Sequence, residues 1–255
     1  MDDVADLLAS IHGTPLLQAL SAKSRARLLK SAVLHTVMPG TVLFEQGEMP
    51  NFQQIVLSGA VHLLGHHSGR EVLIEVVRPP DLLIPAAVVT EAPYLMRARA
   101  AEKSQLLLIL ADQFRAAVAR EPPFAQAVLL SLARQFRRMV RQIKTLKLRS
   151  AAERVGCYIL ALSERQGTAG RALLPYEKSL VASELGVTRE SFSRALAALR
   201  TVGVTVHGQK ITIGDRVRLA AQCRPDPLID ALERDTDPVQ RGSRVPKRTT
   251  QQRHG

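Results

Sequence analysis

Residues 178–196 read KSLVASELGVTRESFSRAL, and the spacing of small and apolar residues in that run decides the fold of the C-terminal part. Val181 and Leu185 lie one turn apart on a first helix. Ala182 is small enough for a second helix to cross closely. Gly186 stands where the chain must turn through positive φ, and Val187 anchors the turn. Thr188 then fits the N-cap of a second helix, whose inward face is Phe192, Ala195, Leu196 and Leu199 at helical spacing. This is the pattern of a helix-turn-helix.

The outward face of the second helix carries Arg189, Glu190, Ser193 and Arg194. In a helix-turn-helix the start of the second helix enters the major groove of DNA. An arginine fork matches guanine O6 and N7, and a glutamate accepts from cytosine N4. Thr188, Ser191 and Ser179 are within reach of phosphates, which position a duplex without specifying its sequence. Downstream, Val204-Thr205-Val206, a turn at His207-Gly208-Gln209, and Ile211-Thr212-Ile213 predict a β-hairpin wing. Ordinary αα-hairpins share the two-helix pattern; the wing and the charge of the chain separate this one from them.

Upstream of this unit, Glu121-Pro122-Pro123 opens a long helix, proline being tolerated in a first turn. Ala125, Leu129, Leu132, Phe136, Met139, Ile143 and Leu146 alternate steps of four and three. A seam so regular predicts a partner helix in a second copy of the chain, in preference to the ordinary alternative of a solvated helix packed on its own domain. Arg134, Arg137, Arg138, Arg141, Lys144 and Lys147 lie between the seam positions.

Between Met38 and about Leu110, short β-prone runs alternate with glycines at 40, 47, 59, 65 and 69. The runs are 42–44, 54–57, 60–64, 72–77 and 105–110, and their spacing predicts an antiparallel barrel or jelly roll. Residues 1–36 read as helical, with Leu28, Leu29 and Val33 on one face and Ser21 or Ser24 as cap. Residues beyond Arg224 are rich in Pro, Arg, Gln, Ser and Thr and read mostly as a disordered basic tail, with Arg241, Arg244, Lys247, Arg248 and Arg253 as added phosphate attraction. The resulting organisation is α+β: a sensor roll over 1–120, a dimerisation helix over 121–149, a winged helix-turn-helix over 150–220 and a tail over 221–255.

Composition narrows the function classes. The 255 residues carry a formal net charge of +12, which favours a polyanionic partner. No GxGxxG, P-loop, HExxH or G-x-S-x-G is present, so the sequence offers no catalytic constellation. The two cysteines, Cys157 and Cys223, form no metal-binding pair. Cys157 lies in an apolar helix and reads as a buried thiol; Cys223, near the tail, reads as exposed. No stretch has the length and hydropathy of a signal peptide or membrane span, so a cytoplasmic location is expected, with no membrane partner.

The order of glycine-punctuated roll, heptad helix and winged helix-turn-helix resembles the CRP/FNR superfamily of bacterial transcription regulators from about Leu20 to Leu219. Gly40-Thr41-Val42-Leu43-Phe44-Glu45-Gln46-Gly47 and Leu57-Ser58-Gly59-Ala60-Val61 look like the early roll motifs of that superfamily. Glu190-Ser191-Phe192-Ser193-Arg194 is similar to the E-x-x-S-R pattern of the FNR branch, associated with TTGAT-like half-sites. Arg189 departs from that branch and resembles the arginine that precedes the glutamate in the CRP branch. The resemblance implies a cyclic-nucleotide-binding-like jelly roll, a homodimer, a palindromic double-stranded operator with a G·C pair read by Arg194 and Glu190, and contact with RNA polymerase.

The resemblance also frames the signal. Members that bind cyclic AMP use a Gly-Glu pair followed by Arg-Ser/Thr around the phosphate. Here Ile84 aligns with the glutamate and Tyr94-Leu95 replaces Arg-Ser, with Arg97 and Arg99 shifted. A cyclic phosphate would lack its counter-charge. No cysteine precedes Cys157, which excludes the N-terminal iron–sulfur cluster of FNR itself. Pro79, Pro80, Pro85 and Pro93 among aliphatics look similar to the DNR/NnrR branch, which implies haem as cofactor and nitric oxide as signal. His35, His62, His66 and His67 are the candidate ligands. Each also has an ordinary reading: His66 and His67 in a solvated turn, His62 on either side of its strand, and His35 at the surface near a helix end. Two alternatives stay open: regulation that needs no effector, and a haem or small-ligand sensor in which DNA binding is secondary.

Overall fold

A computed structural model describes residue 11, residues 14–168 and residues 170–230. The N-terminal helical expectation is corrected at its far end. Helices α1 (Pro15–Gln18) and α2 (Ala22–Lys30) form, and Ser21 caps α2 by accepting from the Ser24 N–H at 3.3 Å. Val33, however, opens strand β1 (Val33–Val37). Four of its five residues are exposed and only Val37 is buried, so the strand has no two-residue alternation to betray it. The part of the expected helix that falls on residues 1–10, 12 and 13 lies outside the described residues.

Strands β2 (Val42–Phe44), β3 (Phe52–Ser58), β4 (Val61–His67), β5 (Arg70–Val77) and β6 (Asp81–Leu83) follow, then helix α3 (Pro85–Thr90) and strands β7 (Arg97–Ala100) and β8 (Ser104–Leu110). They build two four-stranded antiparallel sheets, ordered β1-β8-β3-β6 and β2-β7-β4-β5. Val56, Leu83 and Leu106 from the first sheet meet Phe44, Val61, Leu63 and Ala98 from the second in one aliphatic core, as in a β-sandwich. Gly59 is required at its turn: its φ is +82°, and a Cβ there would lie 2.6 Å from the Lys103 carbonyl oxygen.

A second core seats helices on the outer face of the first sheet. Helix α4 (Ala111–Arg120) and the 27-residue helix α5 (Pro122–Leu148) meet through Phe114 and Phe124, edge to face at 5.5 Å. Leu17, Leu28, Ile55 and Ile109 complete this layer. At 1.5 Å per residue α5 spans roughly 40 Å, long enough to link the roll to the C-terminal unit.

That unit begins at α6 (Ala151–Arg165), whose capping box joins Ser150 and Glu153. Strand β9 (Arg171–Leu173), helices α7 (Lys178–Glu184) and α8 (Arg189–Leu199), strands β10 (Val204–His207) and β11 (Lys210–Ile213), and helices α9 (Arg216–Cys223) and α10 (Pro227–Asp230) complete it. Its core gathers Ile159, Val181, Phe192, Leu199, Ile211 and Leu219. Cys223 corrects the sequence reading: it is 1% exposed. Its Sγ fills the space left by Gly156 on α6, where a Cβ would lie 2.0 Å away. The neighbouring Cys157 is buried as expected and donates its S–H to the Cys223 carbonyl at 3.3 Å. The tail residues from 231 onward, with the arginines and lysine named above, lie outside the described residues.

Candidate nucleic-acid interface

Helices α7 and α8 join through Leu185-Gly186-Val187, with Gly186 at φ +61°. Val181, Ala182, Leu185, Phe192, Ala195, Leu196 and Leu199 are all buried, as their spacing predicts. Thr188 caps α8: its Oγ1 accepts from the Ser191 N–H at 3.1 Å. Arg154 on α6 holds the turn from below, donating to the Leu185 carbonyl at 2.8 Å and to the Gly186 carbonyl at 3.2 Å.

The opposite face of α8 presents Arg189, Glu190, Ser193 and Arg194 to solvent together. Ser191 is half-buried, and its hydroxyl accepts from Thr188 Oγ1 at 3.1 Å and from Arg194 Nη2 at 3.3 Å. It therefore steadies Arg194 from within the helix. Glu190 sits in the first turn of α8. Its carboxyl is held below the usual range by its own backbone N–H, then by the Thr188 hydroxyl, Arg189 and Arg194. Ser179 is exposed on α7. Beside α8, β10 and β11 pair His207 with Lys210 across a turn at Gly208, and β9 adds a third strand. Lys210, Arg171 and Arg200 are exposed on this hairpin layer and at the end of α8. Sequence reasoning did not single them out, although wing cations are the natural complement of a phosphate backbone.

Along α5, Phe124, Val128 and Ser131 turn into the roll. Leu129 is 65% exposed and Phe136 64%, and Met139, Val140 and Ile143 continue the apolar stripe. Leu132 is half-buried against the helical layer. Leu146 is exposed at its edge but reaches Gly186.

Comparison with known proteins agrees with this geometry. Residues 34–121 match the cyclic nucleotide-binding domain, and residues 153–222 match the Crp-like helix-turn-helix domain. The chain belongs to the CRP/FNR family. Among CRP/FNR relatives, the cyclic AMP receptor protein of Thermus thermophilus is 28% identical over 195 residues, spanning 76% of this chain and 89% of its own. A regulatory protein from Silicibacter pomeroyi DSS-3, assigned as cAMP-binding, is 27% identical. Its structure covers 85% of this chain and 98% of its own with a TM-score of 0.52. A transcriptional regulator assigned to the CRP/FNR family from Eubacterium rectale ATCC 33656 has a TM-score of 0.68 at 22% identity, covering 83% of this chain and 98% of its own. That last likeness is one of fold. This CRP/FNR protein is thus a transcription regulator with a DNA-binding helix-turn-helix. Among its described residues, no helix is long and apolar enough to cross a membrane.

The residues that the sequence sets against the family's phosphate-binding segment are packed or paired. Tyr94 is buried and stacks on Phe44, with ring centroids 3.7 Å apart and planes at 15°. Its hydroxyl donates to the Phe52 carbonyl at 3.3 Å. Burial, with Glu48 nearby, pushes the Tyr94 phenol up to about 12, so it is neutral. Ile84 has a left-handed backbone, φ +40°. Neither Ile84 nor Pro85 after it offers a carboxylate there. Arg97 and Arg99 are engaged elsewhere: Arg97 with Glu45 at 2.7 Å and Glu71 at 3.1 Å, and Arg99 with Glu71 at 2.7 Å.

The histidines do not converge. His35 is exposed on β1 rather than beside a helix. His66 and His67 are exposed at the end of β4, paired with Glu71 and Arg70, and the turn itself is Ser68-Gly69. His62 is buried, but it meets Tyr176 of the C-terminal unit edge-on at 5.8 Å. The four candidates therefore do not supply a common haem pocket inside the roll.

Proposed function

We propose that this chain acts in the cytoplasm as a homodimer that reads a palindromic DNA operator with helix α8. The observation that supports it best is the face of α8: two arginines, a glutamate and a serine share one exposed surface, while Ser191 holds Arg194 in place. Arg194 reads guanine and Glu190 accepts from the paired cytosine, with Arg189 reaching the outer bases of the half-site. Thr188 and Ser179 sit where phosphates position the duplex. Two copies join along the exposed stripe of Leu129, Phe136, Met139 and Ile143, flanked by Leu132 and Leu146. This sets two α8 helices about one helical turn of DNA apart. Contact with RNA polymerase is what membership of the family implies.

The roll of this regulator does not take a cyclic nucleotide in the manner for which its relatives are named. Tyr94 occupies the arginine position as a neutral, stacked side chain, and the nearby arginines already have carboxylate partners. Haem held by histidine is likewise unsupported by the placement of His35, His62, His66 and His67.

Selection from a random duplex pool with the purified chain tests the operator reading. Enrichment of a palindrome with a TTGA-like or TGTGA-like half-site is expected. Absence of any enriched sequence, with the protein folded and dimeric, would contradict it.

A further inference from the structure

Strand β5 is the outer strand of its sheet, and its ladder with β4 is irregular. Leu63 pairs with Glu75 and Leu64 with Leu73, which leaves Ile74 as an extra residue. Backbone groups freed at a bulge on an edge need partners from elsewhere. Two side chains outside the roll supply them. Gln142 of α5 donates to the Ile74 carbonyl at 2.9 Å, and Ser183 of α7 accepts from the Leu73 N–H at 2.9 Å. The long helix and the first helix of the helix-turn-helix thus meet the sensor roll at one irregular spot.

The surroundings of Ser183 are unusual for a permanent interface. Tyr176, just before α7, faces His62 of β4 and accepts from Arg78 Nη2, beyond β5, at 2.9 Å. Glu184 follows Ser183, and its Oε2 is sealed from solvent with no hydrogen bond. Tyr158 of α6 and Tyr176 lie beside it, and Arg165 and Arg78 are the nearest cations. Among the described residues none forms an ion pair with it. An oxygen buried without a partner costs more on a carboxylate than on a neutral carboxyl, so the site favours the protonated form.

We propose that this contact is a releasable latch between the sensor roll and the DNA-binding unit, closed through Ser183 on Leu73 and opened when Glu184 takes a negative charge. With a proton on Glu184, α7 rests on β5. An ionised Glu184 has no partner there, and rehydrating it lifts α7 from the strand. Burial raises the carboxyl of Glu184 above its ordinary value, Arg165 and Arg78 opposing weakly. The closed state is therefore favoured below the free carboxyl range and is lost as pH rises through the raised value. His62, on the roll side, is held neutral by burial, then by Arg99 and Arg78, against a small opposing effect of Glu102. The consequence, a change in how α8 is aimed, rests on the operator reading above; the latch itself does not.

Hydrogen exchange of the full chain, read by mass spectrometry over residues 70–77 and 178–186 and corrected for intrinsic rates, tests it. In the native chain, protection of both segments is expected to fall by up to about tenfold per pH unit as Glu184 ionises. Glu184→Gln should stay protected with no such slope, and Ser183→Ala should lose protection over 70–77 at every pH. Identical pH profiles for the native chain and Glu184→Gln, or unchanged protection in Ser183→Ala, would overturn the latch. An exchange pattern as expected, in a chain that binds no operator, would uphold the latch and contradict the operator reading.

Discussion

Gly186 in the helix-turn-helix packs directly on Leu146 of the long helix: a Cβ on the glycine would lie 2.4 Å from Leu146 Cδ2. The turn that aims the recognition helix therefore rests on the helix proposed to join the two copies. The glycine is doubly required, because its backbone also sits at φ +61°. Gly186→Ala should destabilise the chain by about 1–2 kcal/mol from the left-handed backbone alone. Trimming Leu146 to Ala should relieve the steric part and leave the backbone part. Chemical denaturation of both single variants and the double variant separates the two, since contacting residues show a coupling energy. Additive effects would mean that the contact carries no energy.

The apolar stripe on α5 makes a second prediction. Phe136 is largely exposed in a single chain and central to the stripe. Phe136→Glu places like charges opposite each other in the proposed seam and should convert the dimer to a monomer in sedimentation equilibrium. The fold should survive, because Phe136 lies outside the buried clusters. A dimer that persists would move the interface elsewhere.

The roll should give no calorimetric signal with cyclic AMP at micromolar concentration. On the proposed reading, Tyr94 stacked on Phe44 stands in the way of a phosphate, and the nearby Arg97 and Arg99 are already paired with carboxylates. Micromolar binding would show that the stack opens and that Arg97 or Arg99 exchanges its carboxylate for the ligand.

Burial pushes the Cys157 thiol up to about 12 and the Cys223 thiol up to about 11, from an ordinary 9.0. Folding thus favours their neutral forms. This contribution to stability is full below the free thiol's value and is lost as pH rises through the folded values. At neutral pH both thiols should resist iodoacetamide in the native chain and react fully once it is unfolded, as mass spectrometry would show. Fast native alkylation of Cys223 would mean that α9 detaches from α6.

The parts of this molecule that were legible in the sequence are those where one residue type answers one local need. Gly186 and Thr188 mark the helix-turn-helix because a left-handed turn and an N-cap have few solutions. Gly40, Gly47, Gly59 and Gly69 mark the roll in the same way. Strand β1 was hidden because Val33, Leu34, His35 and Thr36 are exposed in a row and give no alternation. The burial of Cys223 was hidden behind the polar composition of the tail, since only the gap at Gly156, far away in sequence, makes room for it. The left-handed backbone of Ile84 was hidden because nothing in an aliphatic letter announces a positive φ. The contacts of Ser183 with Leu73 and of Arg78 with Tyr176 join positions about a hundred residues apart, and no local pattern announces them.

Whether Arg194 on α8 reads one base pair of each half-site is tested most directly by titration against a selected operator and its three single-pair replacements at that position. The native chain should prefer the G·C pair by about 1–3 kcal/mol, and Arg194→Ala should lose that preference while keeping discrimination at the other positions. An equal loss of affinity for the operator, its replacements and random duplex would show that Arg194 contacts phosphate, and would contradict the account.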